Sequence, residues 1–300
     1  MRKFTFALLA LVVALGGAEA VLRLVGYQGK PAATDFRFRV EGELLGAPDP
    51  VLFWRRPDLK PNFSGRAARV ICLADSVTVM DRGQGWPELL PEALKASGYE
   101  KPVEIMNAGV PGYSTWQGLR YLETELLAAK PNLITIEYIW NDRRESAGGV
   151  PDHRIELPSA RLFAWQGRLA HSRLYRLLRS SLIETPRPNG TSRVPIPEYH
   201  RNIRRMVKLA QERGIRVILL TAPYLDRPND WPELQDAYNG VTRRLAGETH
   251  SSLVDLTAEF RDRPDLFLSP DTDQCHFNAQ GAALMAKAVA ETVVRDKLLP

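Results

Sequence analysis

The sequence predicts a three-layer α/β/α sandwich built on a five-stranded parallel sheet, and three observations carry that prediction. Short apolar runs rich in β-branched residues alternate with segments of helical period from about residue 69 onward, which is the pattern of strands joined by crossover helices. The run VICLA at 70–74 is apolar throughout, as a strand buried in a sheet covered on both faces must be. With 300 residues, 44% of them hydrophobic, the chain can fill such a core.

The predicted strands lie at 69–74, 103–107, 133–138, 216–221 and 252–256, and the predicted helices at 86–97, 115–129, 197–213, 231–247 and 278–297. Ahead of them, Arg2 and Lys3 precede an apolar stretch from Phe4 to Leu15, followed by Gly16, Gly17 and Ala18. That order marks export. Two readings of residues 1–27 stand side by side. Ala18-Glu19-Ala20 fits a signal-peptide cleavage site, and the apolar pattern from Phe4 to Val25 is long enough for a membrane anchor. Either places the rest of the chain outside the cytoplasm. Residues 28–68 read as a linker rich in proline and arginine, with one short strand at 51–54. The main domain spans 69–299, interrupted at 143–195 by an insertion with one helix near 162–182.

The net charge of +5 comes without a dense basic block, so a solvated basic surface is expected and a nucleic-acid partner is not. Two cysteines, Cys72 and Cys275, exclude a disulfide scaffold and a four-cysteine zinc site, leaving open a single bridge between them. His153, His171, His200 and His250 show no ligand spacing, and no His, Cys, Asp or Glu cluster points to a metal. Gly109 and Gly112 form neither a dinucleotide fingerprint nor a phosphate loop, so no cofactor is expected.

The chemistry gathers at strand ends. The first strand runs into Asp75-Ser76, which presents a serine at the carboxyl edge of the sheet, where open α/β sheets hold their ligands. The second ends in NAGVPGYST at 107–115, a glycine-bearing turn whose N–H groups can approach a ligand. The third ends in Trp140-Asn141-Asp142, offering a side-chain amide as a further donor. After the fifth, Asp273 stands three residues before His276, so that within one short loop the acid can orient the ring. Asp75 reads as a residue that fixes its turn, and Asp255 as a structural acid at a strand end. Tyr113, Trp116 and Trp140 flank the site, ready either to meet substrate or to fill core.

The ordered set ADS, NAGVPGYST, WND and DQCH resembles the four blocks of the SGNH hydrolases, the GDSL esterase/lipase family, over roughly residues 69–294. The resemblance implies a flavodoxin-like sandwich with Ser76 as nucleophile, His276 as general base and Asp273 as the acid that holds His276 in the useful tautomer. It implies an oxyanion hole formed by the backbone N–H of Ser76, the backbone N–H of Gly109 and the side-chain amide of Asn141. Two positions depart from the family pattern. Ala74 and Ile139 stand where glycines are usual. The expected reaction is hydrolysis of carboxylic esters, O-acetyl esters of an extracytoplasmic glycan among them. A lipid-ester hydrolase or glycan O-acyltransferase of the same chemistry, and a catalytically silent, membrane-tethered binding domain, are the alternatives. The expected partners are a small-molecule, glycan or lipid ester, and a membrane through the N-terminal segment.

Overall fold

The computed structural model describes residues 2–28, 39–40, 43–44, 47–56, 59–65, 67–79, 85–146, 149–155, 160–169, 171–182, 190–225 and 232–300. Two compact units divide the chain: Met1–Arg55 with Ala147–Gly149 and Glu156–Asn189, and Arg56–Ser146 with Val150–Ile155 and Gly190–Pro300. Most of the expected insertion, and the expected linker as far as Arg55, thus group with the N-terminal segment.

The larger unit runs β1 (Ala68–Ala74), α1 (Trp86–Ala96), β2 (Val103–Asn107), α2 (Thr115–Thr124), β3 (Leu133–Glu137), α3 (Ile196–Gln211), β4 (Arg216–Leu220), α4 (Pro232–Thr249), β5 (Ser252–Val254), α5 (Thr257–Arg261), β6 (Phe267–Ser269), β7 (Asp273–Phe277) and α6 (Ala279–Arg295). All five predicted strands are present. They form one sheet in the order β2-β1-β3-β4-β5 with every neighbour parallel, the flavodoxin-like order whose direction of winding reverses between β1 and β3. Helix α1 packs on α6, while α2, α3 and α4 pack in succession, giving the two outer layers.

Burial explains the strand sequences. Val70, Ile71, Cys72 and Leu73 are all fully buried in the central strand β1, and each large aliphatic side chain so placed contributes about 1.5–3 kcal/mol relative to exposure. The expected helix at 115–129 is broken. α2 ends at Thr124, and Leu126–Ala129 form a 3-10 turn closed by Lys130 in the left-handed region. The segment expected to be a loop around Asp273 and His276 is instead strand β7, paired antiparallel with β6. The packed rings of Phe260, Phe267 and Phe277 hold this hairpin, with centroids 4.9–5.9 Å apart.

In the smaller unit the N-terminal helix Arg2–Leu24 contains a 22-residue stretch long and apolar enough to cross a membrane. The strand expected at 51–54 begins later. Strand Phe53–Arg55 pairs with Ala47–Asp49, and Val51 and Leu52 form the turn because their N–H groups donate to Asp49 Oδ1, each at 2.8 Å. The single helix expected near 162–182 is two, Ala160–Leu169 and Arg173–Leu182.

Backbone geometry separates the two departures from the family's glycines. Ala74 is absent from the residues with positive φ, so alanine fits its position without strain. Ile139, just past β3, takes φ of 151° and is fully buried. That region is open essentially to glycine, and a β-branched residue held there costs about 1–3 kcal/mol. Both Ile139→Ala and Ile139→Gly should destabilise by about 2–5 kcal/mol through the cavity they leave. Glycine should match or exceed alanine in denaturant unfolding, because it alone releases the strain. The ordinary order, glycine below alanine by about 0.5–1 kcal/mol, would show that the backbone at Ile139 is relaxed.

Candidate active site

β1 and β3 are paired with Ala74 opposite Glu137, so the two chains leave the sheet side by side. Ser76 opens a 3-10 turn, Ser76–Thr78, whose cap is Asp75. The Asp75 carboxylate is fully buried and accepts from the Val77 N–H at 3.0 Å and from Asn141 Nδ2 at 3.1 Å. Asp75 thereby fixes the serine turn, as expected, and also aims the amide arriving from β3. Burial pushes its pKa up to about 6, against the opposing bond from Val77. Glu137 lies behind it, and burial together with the Asp75 charge pushes its carboxyl up to about 8. One of its oxygens accepts from Trp86 Nε1 at 3.2 Å, and the other is buried with no hydrogen-bond partner among the described residues.

His276 reaches the serine from β7, with its Nε2 2.9 Å from Ser76 Oγ and its Nδ1 2.6 Å from Asp273 Oδ2. The pairing register shifts between the two rungs of the β6–β7 ladder, which lets residues three apart on one strand meet on the same side. Asp273 Oδ1 also accepts from the N–H groups of Cys275 at 3.0 Å and His276 at 3.1 Å. Burial alone would raise the Asp273 carboxyl, but the bonds from His276 and from the Cys275 N–H hold it well below the usual carboxylate range. Burial alone would lower the imidazole, and the bond to Asp273 and its charge outweigh this, leaving His276 above 6.5.

Asn141 is buried and lines one cavity together with Ser76 and His276. Gly109 stands differently. Its N–H donates to Asn107 Oδ1 at 3.0 Å, and a Cβ there would fall 1.9 Å from Thr78 Oγ1 and 2.9 Å from the Asp75 carbonyl. The glycine is required by this close approach of the second strand's turn to the serine turn. Asn107 clamps the same pair from the other side, donating to the Thr78 carbonyl at 2.7 Å and to Glu88 Oε1 at 2.9 Å.

The motif residues that sequence reasoning left without a role hold this turn in place. Asp142 is buried and accepts from the N–H and hydroxyl of Thr115 at the start of α2. Ser114 Oγ donates to Asp152 Oδ2 at 2.6 Å. Arg193 grips both Asp152 oxygens at 3.1 and 2.9 Å, with the Gly112 carbonyl at 2.8 Å. Asp152 and Arg193 come from the flanks of the insertion, where nothing in the sequence sets them apart from the neighbouring acids and arginines. Asp255 is structural as expected, bonded to Arg243 Nε at 2.6 Å and to Thr221 Oγ1 at 2.9 Å.

The cavity over Ser76 and His276 is about 650 Å³ and is lined by Trp140, Asn141, Arg143, Arg144, Ser269 and Thr272 among others. Of the three flanking aromatics only Trp140 lines it, with Arg143 stacked 4.7 Å over its ring. Tyr113 and Trp116 are buried in the core. Both cysteines are free. Cys275 Sγ lies 3.2 Å from Asp273 Oδ1 and 3.4 Å from His276 Nδ1, so these three side chains form a group of potential metal ligands that the sequence spacing had not suggested.

Comparison with solved structures finds this fold in a lipase/acylhydrolase from Enterococcus faecalis, with a TM-score of 0.54, 20% identity, and coverage of 78% of this chain and 97% of that one. The acetyl xylan esterase AlAXEase gives 0.52 at 21% identity, covering 75% and 99% of the two chains. Axe2, an acetylxylan esterase from Geobacillus stearothermophilus, gives 0.52 at 21% identity, covering 76% and 95%. Comparison with curated proteins gives no match. The model of the GDSL-like Lipase/Acylhydrolase family matches residues 72–284, the span that carries all four strand-end motifs, and the chain belongs to this family of ester-bond hydrolases.

Proposed function

We propose that the protein is a serine esterase that removes short acyl groups, O-acetyl foremost, from an extracytoplasmic glycan through an acyl-Ser76 intermediate. The carrying observation is the continuous line of hydrogen bonds from Ser76 Oγ through His276 to Asp273. A serine hydroxyl is a poor nucleophile until a base takes its proton. His276 Nε2 accepts that proton as Oγ attacks the ester carbonyl, while Nδ1–H stays bonded to the ionised Asp273. The imidazolium then protonates the departing alcohol oxygen. Water, deprotonated by the same nitrogen, attacks the acyl carbon and restores Ser76.

The developing oxyanion is taken up by the N–H of Ser76 and by Asn141 Nδ2, whose orientation Asp75 supports. The Gly109 N–H is the third donor of the set, shared with Asn107 Oδ1. The cavity argues for a small acyl group on a polar alcohol. Among the described residues lining it, Trp140 is the one large apolar side chain, and Arg143, Arg144, Ser269 and Thr272 surround it with polar groups. The apolar N-terminal helix supports an extracytoplasmic, membrane-tethered location.

A fluorophosphonate probe should label the wild type at Ser76 and leave Ser76→Ala unlabelled; equal labelling of the two would remove Ser76 from the chemistry. Acetyl esters should be turned over faster than long-chain esters, and the reverse preference would point to a lipid substrate. Asn141→Ala should lower kcat by about 10²–10³ at nearly unchanged KM, the usual loss for one oxyanion donor. Since the base must be neutral, kcat/KM should fall as pH drops through a pKa above 6.5. A flat profile across that range would exclude His276 as the base.

A further inference from the structure

The smaller unit joins two segments far apart in sequence through a set of charged bonds. Glu19, near the end of the apolar N-terminal helix, accepts through Oε2 from Ser172 Oγ at 2.8 Å and from the Leu174 N–H at 2.9 Å. Its Oε1 accepts from the Arg173 N–H at 3.1 Å and from Arg23 Nε at 2.8 Å. Glu19 thus satisfies the first N–H groups of helix Arg173–Leu182, which have no acceptors within that helix. The bonding is reciprocal. Arg173 Nη1 donates to the carbonyls of Leu22 at 3.1 Å and Arg23 at 3.0 Å, closing the far end of the N-terminal helix, and Arg176 Nη1 donates to the Gln28 carbonyl at 2.7 Å.

This arrangement bears on the two readings of the N terminus. Cleavage after Ala20 would discard Glu19 and leave the start of helix Arg173–Leu182 without its acceptor. A segment destined for removal has no reason to complete the insertion's fold.

The insertion helices have the composition of a bilayer-surface element. Residues 160–182 carry five arginines and no acidic residue. On helix Ala160–Leu169, Leu162, Trp165 and Leu169 fall at helical spacing on one stripe and are 51%, 60% and 45% exposed, with Arg168 5.7 Å over the Trp165 ring. Leu178 is 47% exposed on the next helix. Apolar side chains at one stripe, arginines beside them and an interfacial tryptophan together suit the boundary between acyl chains and anionic headgroups. The apolar side chains of the N-terminal helix, to which this element is bonded, are themselves exposed, Phe4 by 78% and Leu9 by 60%.

We propose that residues 2–28 are a retained anchor, latched through Glu19 to the insertion, and that helices Ala160–Leu169 and Arg173–Leu182 rest on an anionic lipid surface beside it. The export orientation of a segment that opens with Arg2 and Lys3 leaves these two residues in the cytoplasm and both helices on the outer leaflet.

The intact mass of the full chain extracted from membranes should include residues 2–20; a mass beginning at Val21 overturns the retained anchor. In full-length protein reconstituted into vesicles of phosphatidylglycerol with brominated acyl chains, wild type should lose a fraction of emission that Trp165→Phe no longer loses. Equal fractional quenching of the two proteins overturns the surface contact. Replacing phosphatidylglycerol by phosphatidylcholine should shrink the difference, and an unchanged difference overturns the anionic preference. Glu19→Ala should speed amide exchange at Arg173 and Leu174, and unchanged exchange there overturns the latch. Ester hydrolysis enters none of these measurements, so their failure leaves the assignment of Ser76 and His276 standing.

Discussion

The buried carboxylate of Asp75 is the constraint on which the site depends. It stands where the sheet's winding reverses, and its two oxygens tie the serine turn after β1 to the amide that follows β3. A carboxylate taken out of water costs several kcal/mol unless its lone pairs are met. Here the Val77 N–H and Asn141 Nδ2 meet them. Glu137 adds to the load. Burial and the Asp75 charge push its carboxyl up to about 8, which favours the neutral form and so lessens the negative charge facing Asp75. The pair concentrates unfavourable burial next to the Ser76 turn, a common mark of sites that hold polar groups in fixed geometry.

A second layer of polar bonds sets the neighbouring turn. Asp142 and Asp152 hold the start of α2, and Arg193 ties Asp152 to the Gly112 carbonyl. Because α2 begins directly after the turn carrying Gly109, these bonds fix how close that turn comes to Thr78. The glycine at 109 follows from that proximity. Ile139 shows the opposite case. Its side chain fills core while its backbone sits in a region suited to glycine, and the strain falls two residues before Asn141. Asn141 is held by Asp75 all the same, which explains how the chain tolerates a bulky residue there.

Much of the catalytic unit was legible because strands buried on both faces must be apolar along their length, and all five stand out against polar connections. Ser76 and Asn141 were legible for a related reason, since the carboxyl edge of a parallel sheet is where such folds hold their ligands, and Asp273 and His276 were legible from their spacing of three residues. Less legible were features set by local polar competition. Asp49 draws the N–H groups of Val51 and Leu52 into a turn, so the strand there begins at Phe53. The Asp273–His276 pair lies on a strand, because a shifted ladder register can bring i and i+3 together. Helical periodicity alone did not show the break between Leu169 and Arg173, where Ser172 and Glu19 cap a new helix.

The order of apolar runs and the four strand-end motifs by themselves determined the fold class, the family and the residues that meet at its centre, since both depend on periodicity and on short local spacing. Tertiary structure alone decided which donors are already engaged, why Gly109 has no room for a side chain, and that Glu19 completes a helix about 150 residues away. Such pairings join residues whose separation in sequence carries no signal, and only the folded chain brings their hydrogen-bonding groups within 3 Å or so of one another.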